Sequence, residues 1–141
     1  MLVSINENDP LPIYLQIVRQ LKEQVLVGEL CPGEELPSVR ELGDALGISL
    51  HTARSAYQTL SDTGLLRIRL GKRARIADPG SIQQPSDVDR SALRDSAKDL
   101  VIDAMLCGMN SDDVHVMMDE EIGKLRLRSD EVGQDVEGRG K

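Results

Sequence analysis

Between Pro37 and Leu60 the chain reads PSVRELGDALGISLHTARSAYQTL, and this stretch constrains the fold more than any other. It opens on a capping box, Ser38-Val39-Arg40-Glu41. The Ser38 hydroxyl accepts from the N–H three residues on, and the Glu41 carboxylate reaches back to the Ser38 N–H. Leu42, Ala45 and Leu46 supply the buried face of the helix that follows. Gly47 suits a left-handed residue just past a helix end. Ser49 is an N-cap for a new helix, so only Gly47 and Ile48 intervene. On that second helix Ala53, Ala56, Tyr57 and Leu60 lie at i, i+3, i+4 and i+7 and form the buried stripe, joined by Leu50 from the first turn. His51, Thr52, Arg54, Ser55 and Gln58 are left on the outer face. A polar stripe of this kind is either a solvated surface or a face meant for a polar partner.

The flanking segments narrow the choice. Leu2–Ile5 has the character of a short strand, followed by a polar lead-in through Pro12. Ile13, Ile17, Leu21 and Val25, with Tyr14 and Val18 alongside, recur at the helical period up to Gly28, and Pro32-Gly33 punctuates a turn. Downstream, LLRIRLGKRARIA alternates apolar and basic residues. Leu66, Ile68 and Leu70 point one way, Arg67 and Arg69 the other. Gly71-Lys72 fits a two-residue hairpin turn with Gly first, after which Arg73 and Arg75 alternate with Ala74 and Ile76. The order of helix, helix, turn, helix and basic hairpin is that of a winged helix-turn-helix.

Residues 79–89 read as a linker. Beyond it Leu93, Ala97, Leu100, Val101, Ala104 and Met105 keep a helical period up to Cys107-Gly108. A further helix starts after Asn110-Ser111-Asp112, with Val114, Met117, Met118, Ile122 and Leu125 on one face. Two amphipathic helices of this length cannot close a core of their own. A second copy of the chain is the most economical cover. The chain thus divides into a winged helix-turn-helix over residues 1–78, a linker over 79–89, a helical dimerisation region over 90–128, and a polar, Gly-rich tail over 129–141 that is expected to be disordered. The fold class is mainly α with a small β-hairpin.

A net charge of −7 argues at first against nucleic acid. Its distribution argues the other way. From Ile48 to Ala77 there are six basic residues against Asp62 alone, whereas residues 81–141 hold eight basic and fourteen acidic ones. A basic patch on an acidic protein is an electrostatic footprint in its own right. The remaining features point to no chemistry. Cys31 and Cys107 are isolated, and the N-terminus has no basic segment leading into an apolar one. No run approaches a membrane span, so a cytoplasmic protein is expected. Met105, Met109, Met117 and Met118 fall at helical spacing and read as core filler. Asp112 and Asp113 answer a helix dipole, and His115 lacks partners at ligand spacing, so no metal and no cofactor are expected. Neither a nucleophile elbow nor a phosphate loop is present, and an enzyme is not expected.

The polar outer face suits DNA on geometric grounds. A major groove about 12 Å wide admits one helix, whose N-terminal side chains reach base edges. Arg54 can fork onto guanine and Gln58 onto adenine. Arg40 lies on the outward side of the preceding helix, and Lys72 and Arg73 at the hairpin tip are placed for the minor groove or backbone. The rival is a winged helix used for protein interaction, which would show apolar anchors on the outer face. Only Leu50 leans that way.

PIYLQI, GELCPGEELPSVREL, LGISLHTARSAYQTLSDTGLL and the hairpin glycine together resemble the GntR family of bacterial transcriptional regulators, over roughly Pro10 to Ala77. The short two-helix C-terminal region resembles the YtrA-type subfamily. The resemblance implies a homodimer on an inverted-repeat operator, usually as a repressor, and leaves any small-molecule effector unnamed. It places Arg40 where the family's PSxREL arginine contacts DNA, Ser49, His51, Thr52 and Arg54 at recognition-helix contact positions, and Gly71 at the wing tip. Leu50 departs from the family's polar or basic reader. The wing RLGKRARI departs from the usual RRGKGTFV, with Arg73 for Gly and Arg75 for an aromatic residue.

Overall fold

The computed structural model describes residues 3–78 and 87–139. Its elements run α1 (Ile13–Val27), α2 (Val39–Leu46), α3 (Leu50–Asp62), β1 (Leu66–Arg67), β2 (Arg75–Ile76), α4 (Asp87–Leu106) and α5 (Ser111–Arg139). Two compact units are formed. Of the described residues, one holds 3–78 with 129–139, and the other holds 87–128.

In the first unit α3 packs against both α1 and α2 and carries β1 at its end. Ile17, Val18 and Leu21 of α1 are buried, with Ile13, Tyr14 and Val25 half-buried, as their spacing predicts. Ala53, Ala56, Tyr57 and Leu60 form the buried face of α3, and Leu30, Leu36, Leu42, Leu66 and Ile76 close an aliphatic core around Tyr57. The Tyr57 hydroxyl donates to the Pro37 carbonyl at 2.7 Å, tying the middle of α3 to the chain just ahead of α2.

The capping box is formed: Glu41 N–H donates to Ser38 Oγ at 3.1 Å, and Ser38 N–H to Glu41 Oε2 at 3.4 Å. Gly47 ends α2 in the left-handed region, and Ser49 caps α3 by accepting from Thr52 N–H at 3.1 Å. Leu50 is 41% exposed and does not join the buried stripe. The inward face of α2 also differs from expectation. Ala45 is exposed and Leu46 half-buried, while Leu42 and Gly43 are buried. The chain folds back over Gly43 immediately after the helix, with Ile48 N–H donating to the Gly43 carbonyl at 3.0 Å. A Cβ at Gly43 would lie 3.2 Å from the Ile48 carbonyl oxygen, so a side chain here would press on the turn.

No strand forms over Val3–Ile5, and Leu2 lies outside the described residues. Two glutamines one turn apart on α1 take the place of a partner strand. Ser4 N–H donates to Gln20 Oε1 (3.0 Å) and Gln20 Nε2 to the Ser4 carbonyl (2.7 Å). Asn6 N–H donates to Gln16 Oε1 (2.9 Å), and Gln16 Nε2 donates to the Asn6 (2.9 Å) and Leu11 (2.8 Å) carbonyls. Gln16 is buried with its amide fully used.

The hairpin pairs Leu66 with Ile76 and Arg67 with Arg75. Ala74 and Ile76 are buried and Arg73 and Arg75 exposed, as the alternation predicts. Its turn is shifted by one residue: Lys72 N–H donates to the Arg69 carbonyl at 3.1 Å, so Leu70 and Gly71 are the central pair. Gly71, at φ +75°, thus stands second, the position of a type II turn that needs positive φ. Leu70 and Ile68 are exposed because they lie beyond the reach of the core that buries Leu66. The hairpin base gains a third segment. Ile76 N–H donates to the Glu34 carbonyl (3.0 Å), Gly33 N–H to that of Ile76 (2.8 Å) and Leu36 N–H to that of Ala74 (2.9 Å).

In the second unit α4 begins at Asp87, ahead of the expected Arg90, and residues 79–86 of the expected linker lie outside the described residues. Gly108 follows the helix in the left-handed region. Asn110 and Asp113 cap α5 reciprocally, each backbone N–H donating to the other's side chain (2.9 and 3.0 Å). Ala104 is buried and Val114, Met117 and Leu125 half-buried; Leu93, Ala97, Leu100, Val101, Met118 and Ile122 are exposed. Among the described residues no helix is long and apolar enough to cross a membrane.

The tail expected over residues 129–141 is described in part. Residues 129–139 continue α5, and residues 140 and 141 lie outside the described residues. Leu125, Arg128 and Val132 are half-buried at i, i+3 and i+7, so one face of the helix carries on past the point where composition turns polar. Interior glycines such as Gly133 cost about 1 kcal/mol each and do not by themselves end a helix.

Candidate nucleic-acid interface

The outer face of α3 is built by its cap and its buried stripe. With Ala53, Ala56, Tyr57 and Leu60 turned inward, His51, Arg54 and Gln58 are exposed and Thr52 and Ser55 half-buried along the opposite side. Ser49 Oγ lies 2.8 Å from Thr52 Oγ1, so the first turn presents two hydroxyls already oriented by each other. Gln58 Nε2 donates to Asp62 Oδ1 at 2.9 Å, which holds its amide along the helix. Arg40, in the first turn of α2, is exposed. These residues share the surface of one helix-turn-helix, on which Leu50 is the one large apolar side chain exposed.

Gly71 and Lys72 are exposed at the wing tip. Arg73 has another partner. Its Nη1 and Nη2 donate to Glu41 Oε2 and Oε1 at 2.7 and 2.6 Å, a forked ion pair across the gap from wing to α2. The Arg73 hydrogen bonds hold the Glu41 carboxyl below its ordinary range, with the Ser38 N–H acting in the same direction, and Glu41 in turn raises Arg73. Arg75 turns back to the hairpin base, donating to the Gly33 carbonyl (2.9 Å) and pairing with Glu35. Arg73, expected at the wing tip for the minor groove or backbone, is held here by the glutamate of the capping box.

Arg67 and Arg75 are directly cross-strand, an unfavourable placement for like charges. They line a hollow of about 270 Å³ with Arg69, Lys72, Arg73 and Asp78, and Glu35 and Glu41 supply the counter-charge. A second feature was missed in the sequence. The N-terminal segment Asn6–Asn8 edges an open crevice of about 600 Å³ whose far side is the α2–α3 turn, Ser49 and Thr52. Gln16 and Gln20, four residues apart on α1, hold the segment that forms its edge. Among the described residues no three His, Cys, Asp or Glu side chains gather as a metal site, and His115 Nδ1 is 2.8 Å from the Ser111 carbonyl of its own helix.

A capped helix-turn-helix with a polar outer face, flanked by a basic hairpin, defines the winged helix-turn-helix class of DNA-binding regulators. Within that class, residues 13–76 match the family described as bacterial regulatory proteins, gntR family. It is 43% identical over 77 residues to the transcriptional repressor NagR of Bacillus subtilis, a match covering 55% of this chain and 32% of NagR. To the transcriptional repressor YtrA of the same organism it is 29% identical over 119 residues, covering 84% of this chain and 91% of YtrA. The structure also resembles that of a transcriptional antiterminator from Listeria monocytogenes EGD-e, with TM-score 0.82, 31% identity and coverage of 89% of this chain and 92% of that one. NagR and YtrA are named as transcriptional repressors, and the residues matched to the family, 13–76, are the winged helix-turn-helix described above.

Proposed function

We propose that the chain is a cytoplasmic, homodimeric repressor that reads an inverted-repeat operator, with residues 1–78 binding DNA and residues 90–128 forming the dimer contact. The observation that carries this reading is the outer face of α3, where His51, Thr52, Arg54, Ser55 and Gln58 offer donors and acceptors with Leu50 as the lone apolar neighbour. Arg54 and Gln58 are the proposed base readers, with Ser49 and Thr52 at the helix N-terminus and Arg40, Gly71 and Lys72 on the backbone or minor groove. Repression is supported by the names of NagR and YtrA.

The dimer is supported by the apolar side chains that α4 and α5 leave in solvent, among them Leu93, Leu100, Val101, Met118 and Ile122. Ala97, Ala104, Val114, Met117 and Leu125 complete the proposed contact. Two-fold symmetry predicts half-sites about 34 Å apart, or a multiple of that.

Selection of bound sequences from a random DNA pool tests the reading. Enrichment of an inverted repeat is the expected result, and V101E together with I122E should abolish dimerisation in sedimentation and lose the repeat. A folded, dimeric protein that enriches nothing would instead favour a winged helix used for protein contacts.

A further inference from the structure

Arg73 stands where the family's wing has glycine, on the strand that carries the wing, and the structure gives it a partner 32 residues away. Glu41 is already fixed at the start of α2 by its own backbone bond to Ser38 Oγ and by the Ser38 N–H on its carboxylate. The root of Arg73 is equally fixed. The next residue, Ala74, is buried, and its carbonyl accepts from Leu36 N–H at 2.9 Å. Both ends of the fork are therefore anchored, one on the helix-turn-helix and one on the wing. The planar guanidinium meets both carboxylate oxygens, a geometry that fixes orientation as well as distance. Its partners are about half exposed, and exposed ion pairs contribute little to stability.

We infer that Arg73 and Glu41 are a positioning pair that sets the wing's angle to α2, and through it the placement of Gly71 and Lys72 against DNA, rather than being DNA contacts themselves. The inference rests on the DNA-binding reading above. It also explains how the wing tolerates the missing glycine. The extra side chain closes onto the capping-box glutamate, which the fold requires in any case to start α2. In the alternative, Arg73 is a phosphate clamp that Glu41 merely holds when DNA is absent.

The two roles have opposite signatures under Glu41→Gln, which keeps a side chain able to serve in the capping box but weakens the fork. A clamp set free would tighten operator binding. A positioning pair would weaken it. The experiment measures operator affinity against salt concentration for wild type, E41Q, R73Q and the double variant, with thermal melting to confirm folding. The expected result is a loss of about 3- to 10-fold in each single variant and no further loss in the double, as for two residues acting as one unit. The slope of log affinity against log salt should stay at the wild-type value. A slope reduced by about one unit in R73Q would show a released phosphate contact and overturn the inference, as would tighter binding by E41Q. Unchanged affinity in both singles would overturn it too. If the DNA-binding reading itself fails, wild type shows no operator complex, a result distinct from all of these.

Discussion

Tyr57→Phe isolates one hydroxyl at the centre of the DNA-binding unit. The phenol ring is 2% exposed, and its oxygen donates to the Pro37 carbonyl at 2.7 Å. Phenylalanine keeps the ring packing and deletes the bond, so near neutral pH the variant should be less stable by about 1 kcal/mol. The same geometry predicts a reversal at alkaline pH. Burial, reinforced by the charge of Glu41, raises the Tyr57 phenol above its ordinary range. The folded state therefore keeps the proton that the unfolded chain releases at about pH 10. Stability from this group is complete below that value and is lost as pH rises above it. For a phenol that stays protonated in the fold, the loss reaches about 1.4 kcal/mol at pH 11. Tyr57→Phe lacks this loss, so the two stability curves should cross a little below pH 11. Urea denaturation followed by circular dichroism, at one protein concentration and several pH values, measures the difference, and other titrating groups cancel in it. A difference between the two proteins that does not change from neutral to alkaline pH would refute the placement of this phenol in a desolvated, hydrogen-bonded site.

Arg54→Ala should cost about 1–3 kcal/mol of operator binding, concentrated at one base position, when affinities for single-base operator variants are compared. Gln16→Leu should destabilise by about 1–3 kcal/mol, because the Asn6 and Leu11 carbonyls lose their donor, and a chemical melt reads the loss. Gly43→Val should cost about 1–3 kcal/mol in the same assay through the clash with the Ile48 carbonyl. Acid titration tests the fork on Glu41. A carboxyl lowered in the fold adds its full stability above its unfolded value, loses it progressively as pH falls below that value, and has lost it all below the lowered one. The protection factor of the Leu36 amide, beside the root of Arg73, should therefore fall progressively as pH drops through the usual carboxylate range, and a factor that stays flat there would count against the pairing.

The parts of the fold legible in the sequence were those written in adjacent residues. The Ser38–Glu41 box, the glycine after α2, the Ser49 cap and the α3 stripe each depend on side chains within a turn or two, and each formed as expected. What escaped were contacts joining distant segments. Nothing local in Gln16 or Gln20 distinguishes a grip on Ser4 and Asn6 from a solvated helix face. Nor does the wing reveal that its two unusual arginines close onto Glu41 and Glu35, since those partners belong to other segments. Ala45 was misplaced because the turn folds over Gly43, a close approach that periodicity does not encode. The length of α5 was missed because polar composition outweighed a single valine, Val132, at the right spacing.

The grip of Gln16 and Gln20 on the N-terminal segment has a consequence for how the two edges of this surface respond to their medium. One edge is fastened by neutral amides alone, while the other adds ion pairs to its backbone hydrogen bonds. Added electrolyte weakens the attraction between exposed charges and leaves amide hydrogen bonds almost untouched. Raising ionic strength should therefore loosen the hairpin while Ser4–Asn6 stays seated on its helix, so the surface softens from one side only.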